Sequence, residues 1–331
     1  MNILITGANG LVGSAVAKRF IAEKHHVKAL CRNTADLSLL DEVKDNIELI
    51  EGDIMDVLGM QKILQNVDMV IHTAAVVSFN PRERSKMYHV NVQGTANVVD
   101  TCLESGVKRL LFVSSIAALG RPTNAAKSTK LISINEDQKW EESPLNSHYA
   151  KSKYLAECEV WRGQAEGLLV SIVNPSVILG EGDWSRSSTQ LFKYVYDENR
   201  FYTLGNLNYV DIRDLTEIIY QLTEQQVSGE RFVVNAGTIT YKEFFEKAAT
   251  AFEKKPPKML VKPWMTEILW RIEAIRSRLS GGSPLITKET AKSARTHFHY
   301  ANKKVKGKLK VSFTPIDETI ERVTKFLEGK V

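Results

Sequence analysis

Apolar positions run along this chain in two alternating rhythms. Met1–Thr6 is a short apolar run that suits a buried strand, and from Leu11 to Ala22 the apolar residues return at helical spacing. The alternation continues. Val27–Cys31, Ile47–Glu51, Val67–His72, Lys108–Val113 and Leu168–Val173 read as strands, and Tyr88–Glu104 and the segment carrying Tyr149 and Lys153 read as helices. A loop-rich stretch containing Pro122 and Pro144 leads to His148. Strands alternating with helices predict an α/β fold with a doubly wound parallel sheet, and ligands of such sheets sit beyond the carboxyl ends of the strands.

After Pro175 the rhythm breaks. Residues 177–208 read as loop-rich and hold Trp184, Phe192, Tyr194, Tyr196, Phe201 and Tyr202. Tyr209–Thr223 reads as a return to the first domain, Arg231–Asn235 as a further strand, and Ile316–Leu327 as a closing helix. The predicted organisation is a ligand-binding domain over 1–176, to which 209–237 and the 316–328 helix return. A smaller, discontinuous C-terminal substrate domain takes up 177–208 and 238–313. Within it, Trp264, Ile268, Leu269, Ile272, Ile275 and Leu279 recur at helical spacing, with arginines largely on the other faces; a lid helix is expected. Gly281-Gly282-Ser283-Pro284 reads as a turn or hinge, and the lysines between Lys303 and Lys310 as a solvated face.

Composition narrows the class. The chain has 331 residues, a net charge of +5 and a pI near 8.9, a mildly basic balance that suits an anionic small molecule and carries no nucleic-acid signature. Cys31, Cys102 and Cys158 are odd in number and widely spaced, which predicts reduced thiols and a cytoplasmic protein without a metal site. Strand-like sequence from Asn2 leaves no room for a signal peptide, and no apolar run is long enough to span a bilayer.

The chemistry starts at Gly7-Ala-Asn-Gly10-Leu-Val-Gly13, directly behind the first strand. The first glycines let the backbone turn tightly and approach a pyrophosphate. Gly13 allows helix and strand to pack closely, and the helix N-terminus offers free N–H groups to the phosphates. At the end of the second strand, where an acid would bond the adenosine ribose, the chain has Cys31 and then Arg32; a guanidinium there suits the 2′-phosphate of NADP. Asp53 can accept from an adenine amino group or cap the next helix, and both can hold. Thr73-Ala74-Ala75 leaves space for a ligand across the sheet edge, whereas His72 reads as a packed, hydrogen-bonded histidine. Tyr149 and Lys153 lie four apart on one helix face, so a fixed ammonium is expected to lower the phenol's pKa and fit the pair for proton transfer.

Taken in order, these motifs resemble the extended short-chain dehydrogenase/reductase family, of Rossmann type. The matching segments are TGANGLVG at 6–13, GDI at 52–54, HTAA at 72–75, VNVQGT at 90–95, FVSS at 112–115, YAKSK at 149–153 and NPS at 174–176. YVDIRDL at 209–215, GERFVVNAG at 229–237 and TPIDETIERVTKF at 314–326 extend the likeness over nearly the whole chain. Within the family, Arg32 and VSSIAALG look most like the dihydroflavonol 4-reductase and 3β-hydroxysteroid dehydrogenase branch. The resemblance implies that Gly7, Asn9, Gly10, Leu11, Val12, Gly13, Asp53, Ile54 and Thr73–Ala75 hold the dinucleotide, and that Pro175 and Val177 flank its nicotinamide. It also implies that Tyr149 is the general acid or base, that Lys153 binds the nicotinamide ribose, and that Ser115 donates to the substrate oxygen, with Asn91 supporting. Ser115 is preferred to Ser114 because Gly120 lies five residues on, as in the family's pattern.

The expected activity is reduction of a ketone or aldehyde on an apolar or cyclic substrate, which the aromatics of the loops suggest, with NADP as cofactor (NAD the alternative) and a homodimer through the helices of Asn91 and Tyr149. The family's dehydratases place a Thr and an acid pair where this chain has Ser115-Ile116-Ala117, which speaks against that activity. A nucleotide-sugar epimerase with bound NAD is the alternative, set second by the missing ribose acid. A non-catalytic NADP-binding protein comes last, because both Tyr149 and Lys153 are present.

Overall fold

A computed structural model describes residues 1–33, 35–123, 131–184, 188–261, 265 and 297–329. Its centre is a seven-stranded, wholly parallel sheet. In chain order the strands are β1 (Asn2–Thr6), β2 (His26–Cys31), β3 (Glu48–Glu51), β4 (Met69–His72), β5 (Arg109–Val113), β7 (Leu169–Pro175) and β11 (Glu230–Val234), and in space they run β11-β7-β5-β4-β1-β2-β3. The order reverses between β1 and β4, and a ligand crevice belongs at that switch. Alternation along β1 divides the core: Ile3 and Ile5 face one layer, Leu4 the other. The first layer packs α1 (Leu11–Ala22) against α7 (Ile212–Glu224) through Val16, Phe20, Leu215 and Ile219. The second packs α2 (Val57–Ile63), α4 (Gly94–Glu104) and α5 (His148–Ala165) through Met60, Val98, Cys102, Ala156 and Val160. Full burial of a large apolar side chain in these layers is worth roughly 1.5–3 kcal/mol.

Among the described residues the predicted strands and helices are present, with boundaries moved by one or two residues. The 88–104 helix is less regular than its sequence suggests: α3 (Arg84–Tyr88) passes through a wide π turn at His89–Gln93 before α4 begins. Such surplus turns gather at functional sites, and this one carries Asn91.

The second half differs more. Residues 177–211 hold β8 (Val177–Leu179), α6 (Thr189–Tyr196), β9 (Phe201–Tyr202) and β10 (Asn206–Asp211). β10 does not rejoin the large sheet; it pairs with β8 and β12 (Gly237–Thr240) in a separate three-stranded sheet. A third core forms there around Phe192, Leu207, Phe244 and Phe252, with α8 (Tyr241–Ala251) supplying Phe244. α10 (Ile316–Glu328), expected on the nucleotide domain, instead inserts Ile320, Val323 and Leu327 into this third core, following its own apolar stripe. Conversely, α9 (Lys303–Lys308), expected in the lid, sends Val305 to the first layer of the large sheet, and Leu309 follows it there. The lysine run is correspondingly less free than a solvated face. Lys304 and Lys308 both pair with Glu230, at 3.2 and 3.0 Å.

The aromatics of 177–208 are largely structural. Phe192 is fully buried, and Trp184 and Tyr196 meet at 5.1 Å between ring centres. They build the small domain's own core rather than an open pocket. The expected amphipathic helix at 264–279 and the hinge at 281–284 lie outside the described residues. Among the described residues, no helix is long and apolar enough to cross a membrane.

Candidate active site

Because the strands are parallel and in register, their carboxyl ends share one edge. Thr6 pairs with Leu30 and His72, His72 with Phe112, Val113 with Val173, and Val234 with Pro175. The residues that follow those ends therefore converge: the glycine turn, Arg32, Asp53, Thr73–Ala75, Ser115 and Val177.

The glycine turn is built by close backbone approach. Gly7 has φ +67°, and a Cβ there would sit 2.8 Å from the Ala74 Cα. A Cβ on Gly13 would sit 2.3 Å from the Gly7 carbonyl oxygen, which no side chain tolerates. Gly10 caps α1 with no side chain to satisfy the first N–H groups, and the helix has no acid in its first turn. The result is a small-residue cradle with an electropositive floor, the fit a dinucleotide pyrophosphate needs. Thr73 closes it from β4, its hydroxyl donating to the Thr6 carbonyl at 2.7 Å. The Leu11 and Val12 side chains pack inward, Leu11 beside Gly180 and Gly182 and Val12 on the first core layer, so only their backbone faces the cradle. The Asn9 backbone reaches Cys31 at the end of β2. Arg32 is exposed at the same point. Beside it, Asn33 donates to Glu51 at 2.8 Å, an acid from the neighbouring strand that the sequence reading did not weigh. Asp53 accepts from the Met55 N–H at 3.0 Å and is exposed, so it braces the turn while its other oxygen faces out. Ile54 is buried and presses on α4 at Gly94, away from the edge.

The second part of the site is made of side chains. Ser147 caps α5 by accepting the Ala150 N–H at 3.0 Å, which sets Tyr149 in the first turn. Ser115, extended at φ −161°, accepts the Ala117 N–H at 3.1 Å, leaving its own hydrogen to donate, and its hydroxyl lies near the Tyr149 phenol. Lys153, one turn below, is buried and donates to the Val113 carbonyl at 3.0 Å, its ammonium 4.2 Å above the Phe112 ring. Asn91 is buried in the π turn. It accepts from the Val76 N–H (2.7 Å) and donates to the Val76 carbonyl (2.9 Å) and to Ser152 Oγ (3.0 Å), tying the loop after β4 to α5 between Tyr149 and Lys153.

The expected electrostatics need correcting. The phenol of Tyr149 is pushed up, not down, because burial penalises the phenolate more than the nearby Ser115 hydroxyl helps it. Burial acts on Lys153 as well and drives its amine down to about 7, with Glu157 pulling the other way. His72 is driven down to about 3 by burial and by Lys153, and it bridges the Thr6 and Thr95 hydroxyls at 2.6 and 3.1 Å. It is a neutral packed histidine, as expected.

Several contributors were missed. Glu157 continues the Tyr149–Lys153 face one turn on, and that i+4 spacing was the available signal. Asn174 and Arg231 reach it from β7 and β11. Phe79 stands edge-on to Tyr149 at 6.1 Å, with Val77 and Phe79 themselves exposed. A separate cavity of about 530 Å³ opens on a different face of α5, between Trp140, Tyr154, Cys158 and Trp161, with Glu157 and Arg231 also in its lining.

A nucleotide cradle at a sheet switch point, with a tyrosine, lysine and serine meeting beside it, defines an NAD(P)-dependent oxidoreductase of the short-chain dehydrogenase/reductase type. The chain belongs to the NAD dependent epimerase/dehydratase family, whose model matches residues 3–237. Its relatives include "Sterol demethylase protein B" of Methylococcus capsulatus, 26% identical over 267 residues, 80% of this chain and 78% of that one. A dihydroflavonol 4-reductase-like protein of Synechocystis sp. is 24% identical over 303 residues (89% and 85%), and cinnamoyl-CoA reductase 1 of Petunia hybrida is 23% identical over 341 (99% and 92%). Among solved structures, UDP-glucose 4-epimerase of Thermotoga maritima, crystallised with UDP-glucose, superposes with a TM-score of 0.78 at 18% identity over 100% of this chain and 99% of that one; it shares the fold.

Proposed function

We propose that this chain is an NADPH-dependent reductase of ketones or aldehydes carried on apolar or cyclic substrates. The observation that carries the reading is the Tyr149 phenol placed near the Ser115 hydroxyl on the helix that buries Lys153 one turn on, its pKa raised by burial. A phenol that keeps its proton at neutral pH is a proton donor, the role a carbonyl reduction requires.

Bound in the cradle, the nicotinamide cofactor supplies the hydride. Gly7–Gly13, Thr73 and Ala74 would hold its phosphates by backbone N–H groups and close contact, and Pro175 and Val177 would border the nicotinamide end. Ser115 donates a hydrogen bond to the carbonyl oxygen and fixes its position. Tyr149 delivers the proton to that oxygen as negative charge develops there. Lys153, one turn beneath the phenol, would hold the ribose hydroxyls, and Asn91 keeps α5 and the loop after β4 in register. Phe79 and Val77 offer the apolar wall beside Tyr149, which supports an apolar substrate better than the aromatics of the small domain do.

The preference for NADPH rests on Arg32 at the end of β2, where no acid stands; Glu51, the nearby acid, is engaged by Asn33. A charge-assisted contact to a 2′-phosphate is worth roughly 1.5–3 kcal/mol, about tenfold or more in affinity. NADPH should therefore bind at least about tenfold more tightly than NADH, and Arg32→Ala should erase the difference. Fluorescence titration checks this, paired with a screen of ketones and aldehydes followed by loss of NADPH absorbance. Tighter binding of NAD, with no carbonyl reduced, would favour a nucleotide-sugar epimerase instead.

A further inference from the structure

Glu157 is a buried carboxylate that the proposed chemistry does not use, and its surroundings give it one. It is 2% exposed and sits on α5 one turn beyond Lys153. One carboxylate oxygen accepts from the Asn174 side-chain amide. The same amide donates to the backbone carbonyl of Ser115 at 2.9 Å. The other oxygen faces the Arg231 guanidinium at 3.4 Å. Arg231 in turn donates to the Glu136 and Gln138 carbonyls, so the edge strand, the 136–138 loop and α5 close around this one acid. A lone carboxylate in such a place would cost several kcal/mol, so a charge kept there has its partners built around it.

We propose that Glu157 is a positioning residue for the reaction: through Asn174 it fixes the peptide that carries Ser115, and through its charge it balances the Lys153 ammonium. The proposal rests on the reductase reading for the roles of Ser115 and Lys153, and its test separates the two. The charged and titratable groups around the pair come from four elements. Lys153 faces Glu157 on α5 and a neutral His72 on β4. Glu157 faces Arg231 on β11, with Cys158 beside it, and Asp137 and Lys139 line the cavity behind. Burial pushes the carboxyl up on balance, while the Ser114 hydroxyl, Arg231, Asn174 and Lys153 pull it the other way. In the same balance, Glu157 is what raises the Lys153 amine against its own burial.

The variant that tests this is Glu157→Gln, which keeps an oxygen for Asn174 and removes the charge. Lys153 should then titrate about one pH unit lower. The direct readout is the NMR titration of lysine side chains labelled at Cε, with Lys153→Met to assign the signal. With a substrate in hand, the alkaline limb of kcat for reduction should move down by the same amount, because the ammonium is lost earlier, with NADPH affinity within about twofold. Glu157→Ala also removes the anchor of Asn174, so KM should rise and kcat fall roughly tenfold beyond the Gln variant. An unchanged Lys153 titration in Glu157→Gln overturns the proposal, as does a loss of thermal stability with no shift in either pH readout. A shifted titration in a protein that reduces no carbonyl keeps the positioning role and removes the reductase reading.

Discussion

The cofactor cradle and the proton-handling cluster share one sheet edge and are made of opposite materials. The cradle is nearly all backbone: Gly7, Gly10 and Gly13 matter for what they lack, and a single added carbon would meet another chain atom at 2.3–2.8 Å at Gly13 and Gly7. The cluster is nearly all side chain, with a phenol, an amine and a carboxyl spaced four apart on α5 and braced from β5, β7 and β11. The first tolerates no extra volume and has little charge to lose. The second tolerates small changes of shape and little change of charge, because each ionised group lies where solvent screens it weakly. A site that binds phosphate needs oriented N–H groups at fixed distance. A site that moves a proton needs pKa values set against one another, which only assembled side chains provide.

Substitutions in each region should therefore fail in different ways. The largest effect is expected from Tyr149→Phe: turnover should fall roughly 10²–10⁴-fold, the range for a lost general acid, with NADPH affinity within about twofold. Steady-state kinetics and a binding titration measure the two together, and retained turnover would remove Tyr149 from the chemistry. Next comes Gly13→Ala, the reverse case. Overpacking of this kind costs about 1–3 kcal/mol, so the dinucleotide affinity should drop on the order of 10–100-fold and the melting temperature should fall, in the same preparation. Equal cofactor binding by this variant would show that the cradle has more room than its geometry allows.

The smallest effect is expected at His72, where the two regions touch. Its folded pKa, about 3, lies below the ordinary histidine value of 6.5. Its contribution to stability is therefore complete above pH ~6.5 and lost as the pH falls towards 3, amounting to about 2 kcal/mol at pH 5. His72→Gln should be flatter between pH 8 and pH 5 in urea midpoint, and an identical slope would mean that other groups carry the acid sensitivity.

The same contrast explains what the sequence made legible. The parallel sheet and the glycine turn are contiguous patterns, and a backbone site declares itself where small residues follow a strand. Tyr149, Lys153 and Ser115 could be named from motif order, and their meeting follows from strands that all end on one side. The sign of the Tyr149 shift was not legible, because it depends on how deeply the phenol and the amine are enclosed. Glu157 was missed because its partners, Asn174 and Arg231, lie 17 and 74 residues away. The placement of α9 and α10 was missed because an apolar stripe says that a helix is covered without saying by what. The small domain's aromatics were overread for a related reason: Phe192 and Trp184 both pack on Phe252, contacts that spacing alone does not encode.

The crossing-over of the late helices bears on how the protein is made. Asp211 caps α7, and the same carboxylate receives Thr319 and Arg322 from α10, while Val305 and Leu309 complete the layer that seats α1. The core layer on which α1 rests is thus completed by residues synthesised some three hundred positions later. A ribosome-bound chain would therefore carry this core layer unfinished for most of its elongation, until the stretch beyond residue 300 emerged.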